Sequence, residues 1–272
     1  FLGVKMFIGK HEIAGKACIM GILNVTPDSF SDGGDFVTIE DALAQVERLV
    51  AQGASIIDVG GESTRPAGAE FVTEEEEIAR IVPVIQAIKA KYDVLISIDT
   101  YKTGTARAAL EAGADILNDV WAGLYDGQML ALAAEKNVPI ILMHNQKEEK
   151  YSDVTENVCT FLSQRTQAAL EAGVAKENIW IDPGFGFSKN VQHNIDLLRG
   201  LDKVVGLGYP VLFGISRKRV VDYLLGGNIP AKDRDQGTAA LSAYAVSKGC
   251  QIVRVHNVDA NRDIVKTISG IL

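Results

Sequence analysis

Residues 111–119 read EAGADILND: a helix end, a glycine, then a short apolar run that stops on two polar residues. The same phrase returns as AQGASIID at 51–58 and as AVSKGCQIVRVH at 245–256. A glycine just past a helix supplies its left-handed cap, and the β-branched run that follows reads as a strand. A chain that keeps alternating strand and helix builds a parallel sheet with helical crossovers.

Eight such strands are predicted, at 17–24, 55–60, 94–99, 115–119, 138–144, 179–182, 210–216 and 251–256. Each is short and apolar on both faces, as in a sheet covered by helices. Between them lie helical spacings, such as Leu43, Val46 and Leu49, or Ile78, Ile81, Ile85 and Ile88. Thr73 and Glu76 have the spacing of a capping box. The acidic run 74–77 reads as first-turn carboxylates at the positive end of a helix dipole, and Pro83 inside that helix predicts a kink. The pattern fits a single-domain α/β fold, the closed (β/α)8 TIM barrel, over 17–272, with 1–16 as an N-terminal extension or hairpin. An open doubly wound sheet is the alternative, but no G-x-G-x-x-G follows the first strand.

The chain has 272 residues, 47% of them hydrophobic, enough for one large core. Its net charge of −8 argues against nucleic acid or an anionic membrane as a partner, because both need a basic footprint. Three widely spaced cysteines, Cys18, Cys159 and Cys250, are no disulfide framework and fit the cytoplasm. No Cys/His cluster has zinc spacing, and no apolar run is long enough to span a membrane. Residues 1–5 read as a vector-derived remnant or Met6 as the natural start, and no signal-peptide pattern is present.

In a barrel of this kind, chemistry sits where strands end and the following loops begin. The predicted strands end on Asn24, Asp58, Asp99, Asn118 with Asp119, His144, Asp182, Ser216 with Arg217 and Lys218, and Arg254 with His256. Any one of these could cap the next helix, but eight polar ends at one rim point to a bound ligand. Asp99, Asn118 and Asp182 suit a flat heterocycle with adjacent N–H donors, which a carboxylate meets with parallel bonds. Lys218, Arg254 and His256 suit an anion such as phosphate. General acid/base work by Asp99 or Asp182 ranks lower, since no sequence neighbour shifts either pKa. The segments 25–36 and 60–72 are long and glycine-rich and read as lids. The third rim segment, 182–189, carries two Phe residues for an aromatic wall. No phosphate-binding loop of the G-x-x-x-x-G-K type and no nucleophile elbow is present.

The phrases NVTPDSFSDGG (24–34), GGESTRP (60–66), SIDTYK (97–102), ND (118–119), DPGFGF (182–187), SRK (216–218) and RVH (254–256) occur in that order. Together, from Met20 to Asn257, they resemble the dihydropteroate synthase family, whose members are pterin-binding TIM barrels. The resemblance implies a transferase of folate biosynthesis that joins 6-hydroxymethyl-7,8-dihydropterin diphosphate to 4-aminobenzoate by dissociative loss of diphosphate. It implies that Asp99, Asn118, Met143, Asp182, Lys218 and Arg254 bind the pterin. Asn24, Arg254 and His256 would bind diphosphate, with Mg²⁺ on Asn24. Thr64, Arg65, Pro66, Phe187 and Lys218 would line the aminobenzoate site. The catalytic set would be Asn24, Asp99, Lys218 and Arg254. A cytoplasmic homodimer and a sulfonamide target are implied as well. The sequence departs from the family pattern at Ala67, Arg219, Asn145 and Gln146. The alternatives are a pterin-binding methyltetrahydrofolate methyltransferase, which needs no diphosphate apparatus, and a non-catalytic pterin-binding subunit.

Overall fold

The computed structural model describes residues 5–8, 11–14, 17–26, 38–63 and 71–272. Strands β1 (Lys5–Ile8) and β2 (His11–Ala14) pair antiparallel, with Lys5 opposite Ala14. The barrel strands are β3 (Cys18–Asn24), β4 (Ile56–Gly60), β5 (Leu95–Asp99), β6 (Ile116–Asp119), β7 (Ile140–Met143), β8 (Ile179–Asp182), β9 (Leu212–Phe213) and β10 (Ile252–Val255). The helices are α1 (Ile39–Ala51), α2 (Glu74–Lys91), α3 (Thr103–Ala112), α4 (Met129–Lys136), α5 (Val154–Glu171), α6 (Val191–Arg199), α7 (Leu201–Val205), α8 (Arg219–Leu224), α9 (Asp235–Ser247) and α10 (Val258–Ile271).

All neighbouring barrel strands are parallel, in the order β8-β7-β6-β5-β4-β3-β10-β9. A parallel bridge between Ile181 and Val211 joins the two ends of that order, so the sheet closes on itself. Closure removes the open doubly wound alternative. The eight predicted strands all form, and β9 is the shortest at two residues.

A floor fills the barrel. Met20, Ile56, Leu95, Ile116, Ile141, Trp180, Leu212 and Ile252, one residue from each strand, form a single buried cluster. Side chains on a strand alternate sides, so every second residue above that floor also points inward. Reading up by twos gives Ile22 and Asn24, Asp58 and Gly60, Ser97 and Asp99, Asn118, Met143, Asp182, Gly214 and Ser216, and Arg254 and His256. The opposite parity packs against the helices in a second, larger cluster that includes Ile57, Val59, Ile96, Ile98, Leu117 and Val253. Parity therefore sets an apolar floor under a polar cup.

Local signals place the helices. The side chains of Thr38, Thr73, Asp153 and Asn257 accept N–H groups of the first turns of α1, α2, α5 and α10, the usual device for satisfying orphan donors. Gly113, at φ 115°, ends α3 as predicted from EAGADILND. Thr73 Oγ1 accepts from Glu76 N at 3.3 Å, but the Glu76 carboxylate turns instead to Arg80 at 2.7 Å, so only half of the capping box forms. The acidic run also divides. Glu75 and Glu76 lie exposed at the dipole end, whereas Glu77 is buried and bonded to Lys102. Pro83 sits on the exposed side of α2, which runs on through it as one helix of 18 residues.

Candidate active site

The inward tiers bring together most of the residues singled out from sequence. Arg254 reaches across the cup from β10. Its Nε donates to Asp58 Oδ2 at 2.6 Å and its Nη2 to Asp99 Oδ2 at 2.8 Å. Asn118 Nδ2 lies 3.2 Å from Asp58 Oδ2, which ties β6 to the same clamp. The other Asp99 oxygen, Oδ1, is buried with no hydrogen-bond partner among the described residues. A buried, unpartnered carboxylate oxygen is costly, and a ligand N–H is the natural way to satisfy it. Burial raises the Asp99 pKa. Arg254 pulls it back, while Asp58, Glu77 and Asp119 push it further up. Sequence neighbours gave no sign of that shift, because its causes come from burial and from other strands. Burial also raises Asp182, against the pull of Lys218 and of the Gly184 N–H.

Lys218 comes from the turn after β9. Its N–H donates to Ile215 O at 3.1 Å. Arg217 inside that turn has φ 60°, a left-handed conformation that non-glycine residues adopt rarely. A two-pronged pair with Asp235, at 2.6 and 2.8 Å, holds Arg217 outward in that conformation. Lys218 is thereby sent inward, where its Nζ donates to Phe185 O and stands 4.6 Å from the centre of the Phe187 ring. Gly186 has φ 78°, and a Cβ there would lie 2.7 Å from Lys218 Cδ, so only glycine admits the lysine stem. Burial lowers the Lys218 pKa to about 8, with Asp182 opposing. His256 Nδ1 lies 2.9 Å from Ser216 Oγ, which fixes the ring beside the clamp. Asn24 is half-buried at the end of β3. Its Oδ1 and Asp99 Cβ both border the space above Gly60, 3.9 and 3.7 Å from where a Cβ would stand.

Besides Arg217, two strand-end residues do not join the cup. Asp119 has outward parity and accepts the N–H groups of Trp121 at 2.8 Å and Gly123 at 2.6 Å. His144, also outward, bonds to Lys189. Arg219 is the first residue of α8 and is exposed. Asn145 Oδ1 accepts from Ser188 Oγ at 3.0 Å and so joins the end of β7 to the segment after β8. Thr64, Arg65, Pro66 and Ala67 lie outside the described residues, as does most of each predicted lid.

The cup thus offers carboxylates and an amide around a guanidinium, a lysine against an aromatic wall, and a half-buried amide at the rim. The model of the family described as "Pterin binding enzyme" matches residues 20–256. The chain belongs to this family of pterin-binding enzymes. A dihydropteroate synthase of Streptococcus pyogenes serotype M6 is 72% identical over 267 residues, covering 98% of this chain and all of the relative. The solved structure of the Xanthomonas albilineans dihydropteroate synthase with 4-aminobenzoic acid is 40% identical and superposes with a TM-score of 0.93, covering 99% of this chain and 98% of that one. The same enzyme in complex with 7,8-dihydropteroate gives a TM-score of 0.90 at 38% identity, with 98% of both chains covered.

Asp58, which the sequence placed at a strand end but in neither half of the rim, lies at the centre of the cup. It is 1% exposed and anchors both Arg254 and Asn118. A signal was present: in SIIDVG, Asp58 stands one alternation above Ile56, on the side that faces inward. A group of three or more His, Cys, Asp or Glu suited to a metal ion is absent among the described residues. A single amide such as Asn24 fits Mg²⁺ when substrate phosphates and water complete the shell, since this ion keeps waters and shares phosphates. Among the described residues no helix is long and apolar enough to cross a membrane.

Proposed function

We propose that this chain condenses 6-hydroxymethyl-7,8-dihydropterin diphosphate with 4-aminobenzoate to give 7,8-dihydropteroate and diphosphate. The buried Asp99 Oδ1, without a partner among the described residues and beside Arg254 in a cup walled by Asn118 and Asp182, carries the reading. The amino-oxo edge of a pterin supplies N–H donors of the kind that would satisfy Asp99 Oδ1. Met143, buried at 3% exposure, gives an apolar wall. The relatives matched over their whole length bear the synthase name, so the methyltransferase and non-catalytic readings are set aside.

In this reading the pterin lies across Asp99, Asn118 and Asp182, with the Arg254 guanidinium at its face. The electron-rich ring stabilises a cation at its methylene carbon as diphosphate departs, and the arylamine then attacks. The chain positions the two reactants and stabilises charge on the leaving group. Arg254 and His256 receive the diphosphate. Lys218 bridges the pterin and the aminobenzoate, whose wall is Phe187 with Thr64, Arg65 and Pro66. Asn24 would hold Mg²⁺, which would supply charge neutralisation at the leaving group. The proposal extends to a cytoplasmic homodimer, supported by the free cysteines for the compartment and testable by light scattering for the assembly.

The direct test incubates the protein with both substrates and Mg²⁺ and quantifies dihydropteroate and diphosphate. Pterin binding without product overturns the assignment. Asn24→Ala is expected to flatten the Mg²⁺ dependence of diphosphate-substrate affinity, and a wild-type dependence would remove Asn24 from the metal. Lys218, with its pKa near 8, is a cation below that value and loses its charge above it. We expect kcat/KM to fall as pH rises through about 8, because kcat/KM reports groups of the free enzyme. A flat profile from pH 7 to 9 in wild type would contradict a role for the Lys218 charge.

A further inference from the structure

Lys189 is a buried lysine outside the assigned set, its pKa lowered by burial to about 7 against the pull of Asp182. Its side chain sits at 5% exposure, behind the segment that joins β8 to α6. The ammonium contacts three groups: His144 Nδ1 at 2.9 Å, Gly184 O at 2.9 Å and Phe187 O at 3.0 Å. An ammonium has three N–H donors, so each meets one acceptor. Burial and the Lys189 charge hold the His144 pKa down to about 3, which leaves a neutral imidazole able to accept at Nδ1. Two of the three acceptors are the first and last carbonyls of one turn. Phe187 N donates to Gly184 O at 3.1 Å, closing the turn from Gly184 to Phe187. The Gly184 N–H donates at 2.7 Å to Asp182 Oδ1. Gly184 itself has φ 72°, and a Cβ there would lie 2.0 Å from His144 O, so the turn is pressed against the end of β7.

We propose that Lys189 is a positioning residue for the reaction: it caps both ends of this turn, and so fixes the Phe187 wall and the orientation of Asp182. Without it, the carbonyls of Gly184 and Phe187 lose their common donor in a dry site. The turn then has no shared donor to hold it against β7, and both the arylamine wall and Asp182 lose their reference. The same turn receives Lys218 from the ligand side at Phe185 O. It is thus gripped by one lysine from behind and another from in front. The argument rests on the proposed placement of Phe187 at the aminobenzoate.

Two measurements on the full chain test this, one of them independent of activity. In Lys189→Met, amide exchange at Phe187 is expected to accelerate at least about tenfold relative to wild type, while amides of the barrel floor keep their protection. Unchanged Phe187 exchange in a folded variant overturns the capping role whatever the enzyme catalyses. In steady-state assays, Lys189→Met should raise the KM for 4-aminobenzoate about tenfold, with a smaller change in kcat. In a Phe187→Ala background the same substitution should change that KM less than about twofold, because residues acting through one another are non-additive. Effects that simply multiply overturn the coupling to Phe187. Should Lys189→Met fail to fold, Lys189→Ala, which also removes the donor, carries both comparisons, and a folded Ala variant with wild-type exchange and KM overturns the proposal. A wild-type protein that forms no dihydropteroate refutes the assigned reaction and leaves the exchange result to judge Lys189.

Discussion

Replacing Arg254 by Met is expected to lower kcat/KM by about 10²–10³-fold and to weaken the fold as well. The catalytic loss follows from removing a preorganised donor aimed at the leaving group, an effect typically of about 3–4 kcal/mol. The stability loss follows from what remains. Asp58 at 1% exposure and Asp99 at 5% would face each other across the cup without their shared cation. Breaking a buried pair from one side commonly costs about 3–5 kcal/mol. The two effects can be separated. Adding Asp58→Asn to Arg254→Met should recover part of the stability in urea unfolding and none of the activity. Affinity for the pterin diphosphate should fall further than affinity for a pterin lacking phosphate. Equal losses for the two ligands, or activity restored in the double variant, would show that Arg254 serves only to hold carboxylates in place.

The second large effect lies where Lys102 meets the described ends of segment 60–72. Lys102, 4% exposed, donates to Glu77 Oε2 at 2.8 Å, to Val72 O at 2.6 Å and to Glu62 Oε2. Burial works against its charge, but the bonds to Glu62 and Glu77 outweigh it and hold the pKa above the usual lysine value. Tyr101 OH adds a bond to Glu62 Oε1 at 2.8 Å, and Thr105 Oγ1 one to Glu77 Oε2 at 3.2 Å. One ammonium thus joins the start of α3 to both ends of the chain between β4 and α2. Lys102→Met leaves two buried carboxylates and a carbonyl without their donor. We expect a loss of about 3–5 kcal/mol, a fall in Tm of roughly 10 °C for a chain of this size. Adding Glu62→Gln and Glu77→Gln should recover part of it, because neutral amides are cheaper to leave there than unpaired charges. Thermal unfolding of the single and triple variants checks this. A Tm within about 2 °C of wild type in Lys102→Met would show that the cluster contributes no net stability.

The acidic run at 74–77 shows where sequence reasoning stops. Four consecutive carboxylates before a helical pattern predict a solvated dipole end, and two of them behave that way. Glu74 instead accepts the Gly104 N–H at 2.9 Å, and Glu77 is sealed against Lys102. Helical spacing sets Glu77 four residues before Ile81 on the buried face, and Glu76 four before Arg80, but it does not show what would neutralise the buried one. Only the packing of α3 on α2 supplies a buried cation for one of them. Asp119 and His144 teach the converse. Both stand at strand ends like the residues of the cup, but the strand's two-residue period turns them outward. Counting parity from the apolar floor separates Asn118 from Asp119 and Met143 from His144, and it would have raised Asp58 into the site.

The sequence by itself determined the alternation of strands and crossover helices, and with it a helix-covered parallel sheet and the end at which polar residues collect. Those features are local: caps, periodicity and the order of apolar runs act within a few residues of one another. The tertiary structure alone decided that the ends of the sheet meet, that Arg254 is shared between Asp58 and Asp99, and that burial lifts Asp99 while lowering Lys218. It also decided that Lys102 and Lys189 are spent on carbonyls and carboxylates of distant segments. These depend on groups separated by up to 196 positions in the chain, as Arg254 is from Asp58. They depend as well on the removal of water from between those groups, which happens only when the barrel closes.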